Sequence, residues 1–211
     1  MKIFKNRQSA GKLLAKRLRH FFNDRGTIVL GIPRGGVVVA SAVAESLGLP
    51  LDIIVTRKIG APMQPELALG AVDPDGEVVG EFGSASRRIG DLGEIIEKEV
   101  EEIKRREEVY RQGRDHLNME NKVVILVDDG IATGATTLAA INYLKRHKAR
   151  KVILATPVAA KESVDRVRRE IGKMGEIIVL EKPEYFEAVG QFYQEFLPVS
   201  DQEVIKYLNH E

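Results

Sequence analysis

The fold of this chain is decided by one stretch, residues 123–137, which reads VVILVDDGIATGATT. Its first five residues are apolar without polar alternation, which is typical of a strand that is covered on both faces in a parallel sheet. Apolar residues then recur at helical spacing, at Leu138, Ile141 and Leu144. The stretch therefore predicts a turn between the carboxyl end of a buried strand and the amino end of a helix.

The turn has the composition of a sugar-phosphate site. Unpaired N–H groups and the helix dipole favour an anion at the start of a helix, glycines allow a concave nest of donors, and Thr133, Thr136 and Thr137 add hydroxyls. Asp128 and Asp129 would instead accept hydrogen bonds from vicinal ribose hydroxyls or help to hold a divalent cation. A turn that merely caps a helix would explain Asp128 or Thr133 alone, but not the ordered set.

A second glycine loop, residues 32–36 with the sequence IPRGG, also joins a predicted strand to a predicted helix. Gly35 and Gly36 carry no Cβ, so a diphosphate could approach their backbone closely, and Arg34 adds a planar cationic fork. Taken alone, a tight turn is the simpler explanation. The chain has neither the G-x-G-x-x-G of a Rossmann fingerprint here nor the G-K-[ST] of an ATPase loop.

Length and composition predict one α/β domain. The chain has 211 residues, and its formal charge of +1 comes from 32 basic and 31 acidic residues. No global field would recruit nucleic acid, and the absence of cysteine excludes disulfides and thiolate metal sites. The first residues are too polar for a signal peptide, and no apolar run has the length of a membrane span. We therefore expect a cytoplasmic protein without nucleic-acid or membrane partners.

Strands alternate with helices along the chain, which predicts right-handed parallel crossovers in a sheet of at least five strands. Predicted strands cover residues 27–32, 51–56, 123–127, 151–156 and 176–180, and predicted helices cover 37–47, 93–111, 138–144 and 163–171. A first helix carries Leu14, Leu18, Phe21 and Phe22 and closes at residues 24–26. Residues 73–76, DPDG, predict a hairpin turn, and the Ser200/Glu203 capping box starts a last helix near Asp201.

The central stretch resembles the phosphoribosyl-diphosphate (PRPP) loop of type I phosphoribosyltransferases, two acidic residues followed by G-x-x-T-G-x-T. The resemblance continues over nearly the whole chain, through GIPRGGV at 31–37, VTRKIGAP at 55–62, PELALGAV at 65–72 and YFEAVG at 185–190. It implies an α/β fold with a parallel central sheet flanked by helices and a small C-terminal hood. The expected single domain spans residues 1–211, with a loop, hairpin and helix inserted at about 59–118 and a hood formed by about 181–211 with N-terminal residues.

The resemblance also implies an activity, the transfer of a 5-phosphoribosyl group from PRPP to a nitrogen nucleophile with Mg²⁺, and a homodimer. The implied catalytic residues are Arg34, Lys58, Asp128 and Asp129, and the two aspartates would also hold Mg²⁺, directly or through water. The implied 5′-phosphate loop is Gly130, Ile131, Ala132, Thr133, Gly134, Ala135 and Thr136, and the implied diphosphate site is Arg34, Gly35, Gly36, Arg57 and Lys58. A strained or cis peptide is implied near residues 33–35, and a mobile lid near 59–66.

Ala132 limits the range of possible acceptors, because it stands where the 6-oxopurine transferases of the family carry a proton-transferring acid. This argues against hypoxanthine or guanine, although adenine-type and orotate-type relatives also lack the acid. Phe186 and Tyr193 are the predicted acceptor-pocket residues, whereas Phe192 and Phe196 are more simply core packing. A PRPP- or nucleotide-sensing regulator on the same fold is the alternative. Arg57, Lys58 and the lid-like loop favour the enzyme.

Overall fold

The structure, a computed structural model, describes residues 3–61, 64–80 and 92–209, with the backbone alone at 61, 64–68 and 92. The strands are β1 (Thr27–Gly31), β2 (Leu51–Ile53), β3 (Arg57–Ala61), β4 (Gln64–Val72), β5 (Val78–Gly80), β6 (Val123–Val127), β7 (Lys151–Val158) and β8 (Gly175–Glu181). The α-helices are α1 (Arg7–Arg17), α2 (Gly35–Leu47), α3 (Leu92–Arg111), α4 (Ala135–Arg146), α5 (Lys161–Ile171) and α6 (Asp201–Asn209). None of these helices is both long enough and apolar enough to cross a membrane.

The central sheet has five parallel strands in the order β2-β1-β6-β7-β8, which confirms the predicted fold class. Strand β6 lies in the middle, and all of its residues are buried, as its unbroken apolar run predicts. Thr27 of β1 lies opposite Val123 of β6, and the two strands stay in register to Gly31 and Val127. The segments that follow β1 and β6 therefore leave the sheet side by side at the same edge.

Helices cover both faces of the sheet and enclose two hydrophobic cores. Val29, Ile125 and Val127 pack on the face covered by α1, α2, α3 and α6. Leu30 and Leu126 pack on the opposite face against α4 and α5. This alternation follows from the two-residue period of a strand, which sends consecutive side chains to opposite faces.

A three-stranded antiparallel sheet, β3-β4-β5, follows β2 in the chain. The hairpin between β4 and β5 confirms the turn predicted at residues 73–76. Strand β3 was not expected, because residues 59–66 were interpreted as a lid rich in Gly and Pro; its pairing with β4 shifts register around Gly60, and such an irregularity hides the strand pattern. Residues 62 and 63 of the predicted lid lie outside the described residues.

Two predicted elements end at least three residues earlier than expected. Helix α1 ends at Arg17, and a separate 3₁₀ turn covers Arg19–Phe21, because the Leu18 N–H bonds to the Ala15 carbonyl and tightens the chain there. Phe22, which was expected on the apolar face, is 62 % exposed. Strand β2 ends at Ile53 instead of Thr56, because its partner β1 ends at Gly31, which lies opposite Ile53.

The capping box of α6 is confirmed, since the Glu203 carboxylate accepts from the Ser200 N–H.

Candidate active site

The two predicted glycine loops meet at the edge of the sheet. The Ile32 N–H donates to the Val127 carbonyl over 2.9 Å, which fixes the start of the IPRGG loop beside the end of β6. A Cβ at Gly36 would lie 2.9 Å from the Val127 oxygen, and a Cβ at Gly35 would overlap the Asp129 carboxylate. Only glycine allows this close approach. The Pro33–Arg34 peptide bond is cis, which confirms the expectation drawn from the family.

The acid pair lies where β6 leaves the sheet, and both residues are half-buried. The Asp129 N–H donates to Oδ1 of Asp128 over 2.8 Å, which holds the Asp128 carboxylate against the backbone of Asp129. Desolvation raises the pKa of the Asp128 carboxyl well above its ordinary value, and the negative charge of Asp129 raises this pKa further. A nearby cation or hydroxyl donors would therefore favour the charged form of Asp128.

Arg7, which the sequence analysis did not select, contacts this pair directly. Its Nε donates to Oδ2 of Asp129 over 2.7 Å, and the two side chains are only 11 % and 14 % exposed. Helix α1 begins at Arg7 because Asn6 caps it: the Asn6 side chain accepts from the Ser9 N–H over 3.0 Å. An arginine in a polar first turn carries no signal of this role, because its partner comes from the loop after a strand that is distant in sequence.

The predicted 5′-phosphate loop leads into the first turn of α4. Gly134 has φ +79, a left-handed conformation that favours glycine, and it is the N-cap of α4. The N-terminal N–H groups of the helix begin directly after it. The Ile131 N–H donates to the Val158 carbonyl over 2.9 Å, and the Ser163 hydroxyl donates to the Ala132 carbonyl. Hydrogen bonds to strand β7 and helix α5 thus hold the backbone of the loop in place.

The predicted diphosphate cations lie in two places, and the arginines are paired with carboxylates. Arg34 lies with Nη1 3.7 Å from Oδ1 of Asp201, at the start of α6, and its side chain is 45 % exposed. Arg57 donates through Nε to Oε2 of Glu99 on α3 over 2.7 Å. Lys58 is half-buried on β3. A diphosphate that bound to these arginines would therefore compete with carboxylates of the protein.

The C-terminal segment folds over the acid pair together with N-terminal residues. The Tyr193 hydroxyl donates to the Asp129 carbonyl over 2.6 Å, and its ring centroid lies 5.5 Å from that of Phe4. The Phe4 N–H donates to the Phe192 carbonyl over 2.8 Å, and Phe192 is fully buried, as its predicted packing role requires. Phe186 is half-buried, with its ring 5.2 Å from that of Phe192.

This arrangement gives Tyr193 a structural contact besides its predicted role in an acceptor pocket. The residue is buried, and desolvation strongly raises the pKa of its phenol, so the hydroxyl stays a hydrogen-bond donor. Tyr193 therefore fixes the backbone of Asp129. Its stacking on an acceptor stays a prediction.

The acid pair fits a loosely held magnesium ion. Within residues 3–61, 64–80 and 92–209, no cluster of three or more His, Asp or Glu side chains forms a metal cage. Asp128 and Asp129 could therefore bind a metal ion only through their own carboxylate oxygens, without a third protein ligand of these types. Magnesium commonly binds in this way, through one or two carboxylates, retained waters and substrate phosphates.

Comparison with known proteins gives the chain a family. The profile described as "Phosphoribosyl transferase domain" matches residues 2–192, which is most of the chain. The chain belongs to the phosphoribosyl transferase family. Two Mycobacterium tuberculosis relatives, from strains CDC 1551 and H37Rv, each bear the name "Putative phosphoribosyl transferase" and are 42 % identical over 212 aligned residues. The match covers 99 % of this chain and 47 % of theirs, so the chain spans about half the length of these relatives.

Solved structures agree with this phosphoribosyl transferase fold. The crystal structure of TT1426 from Thermus thermophilus superposes with a TM-score of 0.81 at 39 % sequence identity, and the match covers 100 % of this chain and 99 % of that protein. A Neisseria gonorrhoeae protein with bound ppGpp superposes with a TM-score of 0.53 at 12 % identity, covering 100 % of this chain and 97 % of its own. The second similarity shows the fold alone.

Proposed function

We propose that this domain is a phosphoribosyltransferase that transfers the 5-phosphoribosyl group of PRPP to a nitrogen nucleophile and releases diphosphate. One observation carries the proposal: the Gly35–Gly36 backbone lies directly against the Asp128–Asp129 pair. Groups suited to a diphosphate and groups suited to ribose hydroxyls are thus adjacent, with a helix N-terminus suited to a 5′-phosphate directly downstream. PRPP carries these three parts in that order.

Each part of the site has its own task in the proposed reaction. The bond from ribose C1 to the diphosphate oxygen breaks, a bond from C1 to the acceptor nitrogen forms, and the proton of that nitrogen is released to solvent. Arg34, Arg57 and Lys58 would stabilise the negative charge on the departing diphosphate, the main electrostatic demand of this reaction. The loop from Gly130 to Thr136 would hold the distant 5′-phosphate, and binding energy gained there orients the reacting carbon.

A bound Mg²⁺ would neutralise negative charge on the diphosphate. Asp128 and Asp129 are the residues that would hold it, directly or through water. Desolvation and the negative charge of Asp129 raise the pKa of Asp128, and a nearby cation would favour its charged form, which is the reason to expect metal-dependent binding.

The acceptor that we propose is a nucleobase other than a 6-oxopurine. Ala132 offers no acid for proton transfer, and its carbonyl already accepts from the Ser163 hydroxyl. General acid–base help contributes typically about 10² to 10⁴ in rate. Guanine and hypoxanthine should therefore be poor acceptors, and adenine or a less common nitrogen heterocycle is the better candidate.

The deciding experiment measures diphosphate release from PRPP and Mg²⁺ with guanine, hypoxanthine, adenine, uracil and orotate side by side. Release that requires both an acceptor and Mg²⁺ would support the transferase. Fastest turnover with guanine or hypoxanthine would contradict the role given to Ala132. Tight PRPP binding with no turnover by any acceptor would instead favour the alternative, a PRPP-sensing regulator.

A further inference from the structure

Arg7 joins parts of the molecule that are far apart in sequence. Besides its 2.7 Å contact with Asp129, it donates through Nη1 to the Leu197 carbonyl over 2.8 Å. Its guanidinium carbon lies 3.8 Å from the ring centroid of Phe196, which is a cation–π contact. A Cβ at Gly35 would lie 2.8 Å from Nε, so the diphosphate loop also borders this side chain.

These contacts fix a long side chain before any ligand is present. A free arginine loses much rotamer freedom when it is held in one geometry. Here the loss has already occurred on folding, because the fork is held at both Nε and Nη1 and is stacked on a ring. A carboxylate paired with such a fixed fork is itself held in one orientation.

The need for this restraint comes from the way in which the two acids are held. The Asp129 N–H donates to Oδ1 of Asp128 over 2.8 Å, which fixes the Asp128 carboxylate against the backbone. Tyr193 fixes the Asp129 backbone but not its carboxylate. Arg7 fixes the carboxylate.

We propose that Arg7 is a positioning residue that holds the Asp129 carboxylate in the orientation in which it accepts hydrogen bonds from the ribose hydroxyls. The inference rests on the proposed function, which places ribose at this pair. Arg7 itself lies on the side of Asp129 that faces Phe196 and Leu197, and it acts on the ligand through the carboxylate.

The test compares Arg7→Met and Arg7→Lys with the parent domain by titration calorimetry. PRPP is titrated with Mg²⁺, whereas ribose 5-phosphate and inorganic phosphate are titrated without added metal. Ribose 5-phosphate reports the acid pair together with the 5′-phosphate loop, and inorganic phosphate reports the proposed phosphate-binding loops without the acid pair. Arg17→Met is the matched control, because Arg17 is an exposed arginine at the other end of α1.

For Arg7→Met we expect affinity for PRPP and for ribose 5-phosphate to fall by at least ~10-fold, the size of one lost charge-assisted hydrogen bond. Affinity for inorganic phosphate should stay within ~2-fold, since its proposed site does not include Asp129. Arg7→Lys keeps one donor and should recover part of the ribose 5-phosphate affinity. Arg17→Met should match the parent for every ligand.

Three other outcomes would overturn the inference. Unchanged affinity for ribose 5-phosphate in Arg7→Met, with a parent that binds PRPP, would remove Arg7 from the site and leave the proposed function intact. Equal losses for ribose 5-phosphate and phosphate in both variants would assign Arg7 to fold support alone. A parent that does not bind PRPP would overturn the proposed function and this inference together.

Discussion

Gly35 lies so close to Asp129 that a side chain at position 35 would not fit unless the Asp129 carboxylate moved. They belong to the loops after β1 and β6, and a Cβ on Gly35 would overlap Oδ2 of the Asp129 carboxylate. The contact joins the predicted diphosphate loop to the predicted ribose-binding pair. The close approach of these two predicted subsites therefore depends on the missing side chain at position 35 and on the position of the Asp129 carboxylate.

Gly35→Ala should consequently damage binding more than folding. The new methyl group must displace the Asp129 carboxylate, which is a side chain that can move, so we expect a loss of free energy of unfolding of ~1–2 kcal/mol. PRPP affinity, measured by calorimetry with Mg²⁺, should fall by at least ~10-fold, since the acid pair leaves its position. Gly93→Ala is the matched control, because a Cβ at Gly93 meets no atom within 4 Å. A Gly35→Ala protein that binds PRPP like the parent would contradict the assignment.

Replacing both acids, Asp128→Asn with Asp129→Asn, should strongly weaken Mg²⁺-dependent PRPP binding in calorimetry. The amides keep the size of the carboxylates but lose the charge that attracts a cation and the capacity to accept at both oxygens. Asp128→Asn alone should not lower the free energy of unfolding, because it removes a desolvated charge beside a like charge. Parent-like PRPP affinity in the double variant would show that these acids do not face the ligand.

Arg34→Ala should weaken binding of the diphosphate part of PRPP and leave binding of the ribose 5-phosphate part nearly unchanged. Its fork is expected to meet the diphosphate, so PRPP affinity should drop by ~10- to 100-fold, corresponding to one or two charge-assisted hydrogen bonds. Affinity for ribose 5-phosphate should stay nearly intact. Asp201→Asn is the informative companion, because it removes the carboxylate 3.7 Å from Arg34 and should leave PRPP binding equal or tighter. Equal losses for both ligands in Arg34→Ala would disprove the diphosphate placement.

Acid stability gives a prediction that does not depend on function. On α3, Arg105 and Arg106 donate to the Glu102 carboxylate and lower its pKa to about 2. A lowered carboxyl pKa stabilises the fold above the ordinary value of 4.5, and this contribution disappears as the pH falls towards about 2. Glu102→Gln should therefore reduce the free energy of unfolding by ~0.5–1 kcal/mol at neutral pH.

Below pH 4.5 the same variant should lose stability less steeply than the parent. Denaturant unfolding at a series of pH values measures both effects. Glu108→Gln, an exposed acid on the same helix, is the control. Parallel pH curves for Glu102→Gln and the parent would exclude the proposed contribution of this ion pair.

The central sheet could be predicted from sequence because β1, β6, β7 and β8 each contain an unbroken run of at least three apolar residues. Strand β3 could not be predicted, since its register shifts around Gly60 and its strand conformation depends on pairing with β4. The order β2-β1-β6 is also a long-range property. It places two loops together that are each recognisable alone, but whose contact depends on which strands become neighbours.

The site was predicted as far as local chemistry allows. The two loops, the acid pair and the cis peptide follow from motifs, whereas Arg7 and Asp201 are brought in by helices that dock from both ends of the chain. Neither residue lies in a pattern. The hydrogen bond from the Tyr193 hydroxyl likewise could not be predicted from sequence, because the sequence does not indicate which backbone oxygen a buried tyrosine contacts.

The position of β6 has a consequence for hydrogen exchange. Its residues are all buried, with β1 and β7 on either side, so its amides should exchange with solvent only when the whole domain unfolds. Arg7 and Tyr193, which cover the acid pair, come from segments at the periphery of the fold. We therefore expect the amides of these segments to exchange with solvent through local opening, and so more readily than those of β6.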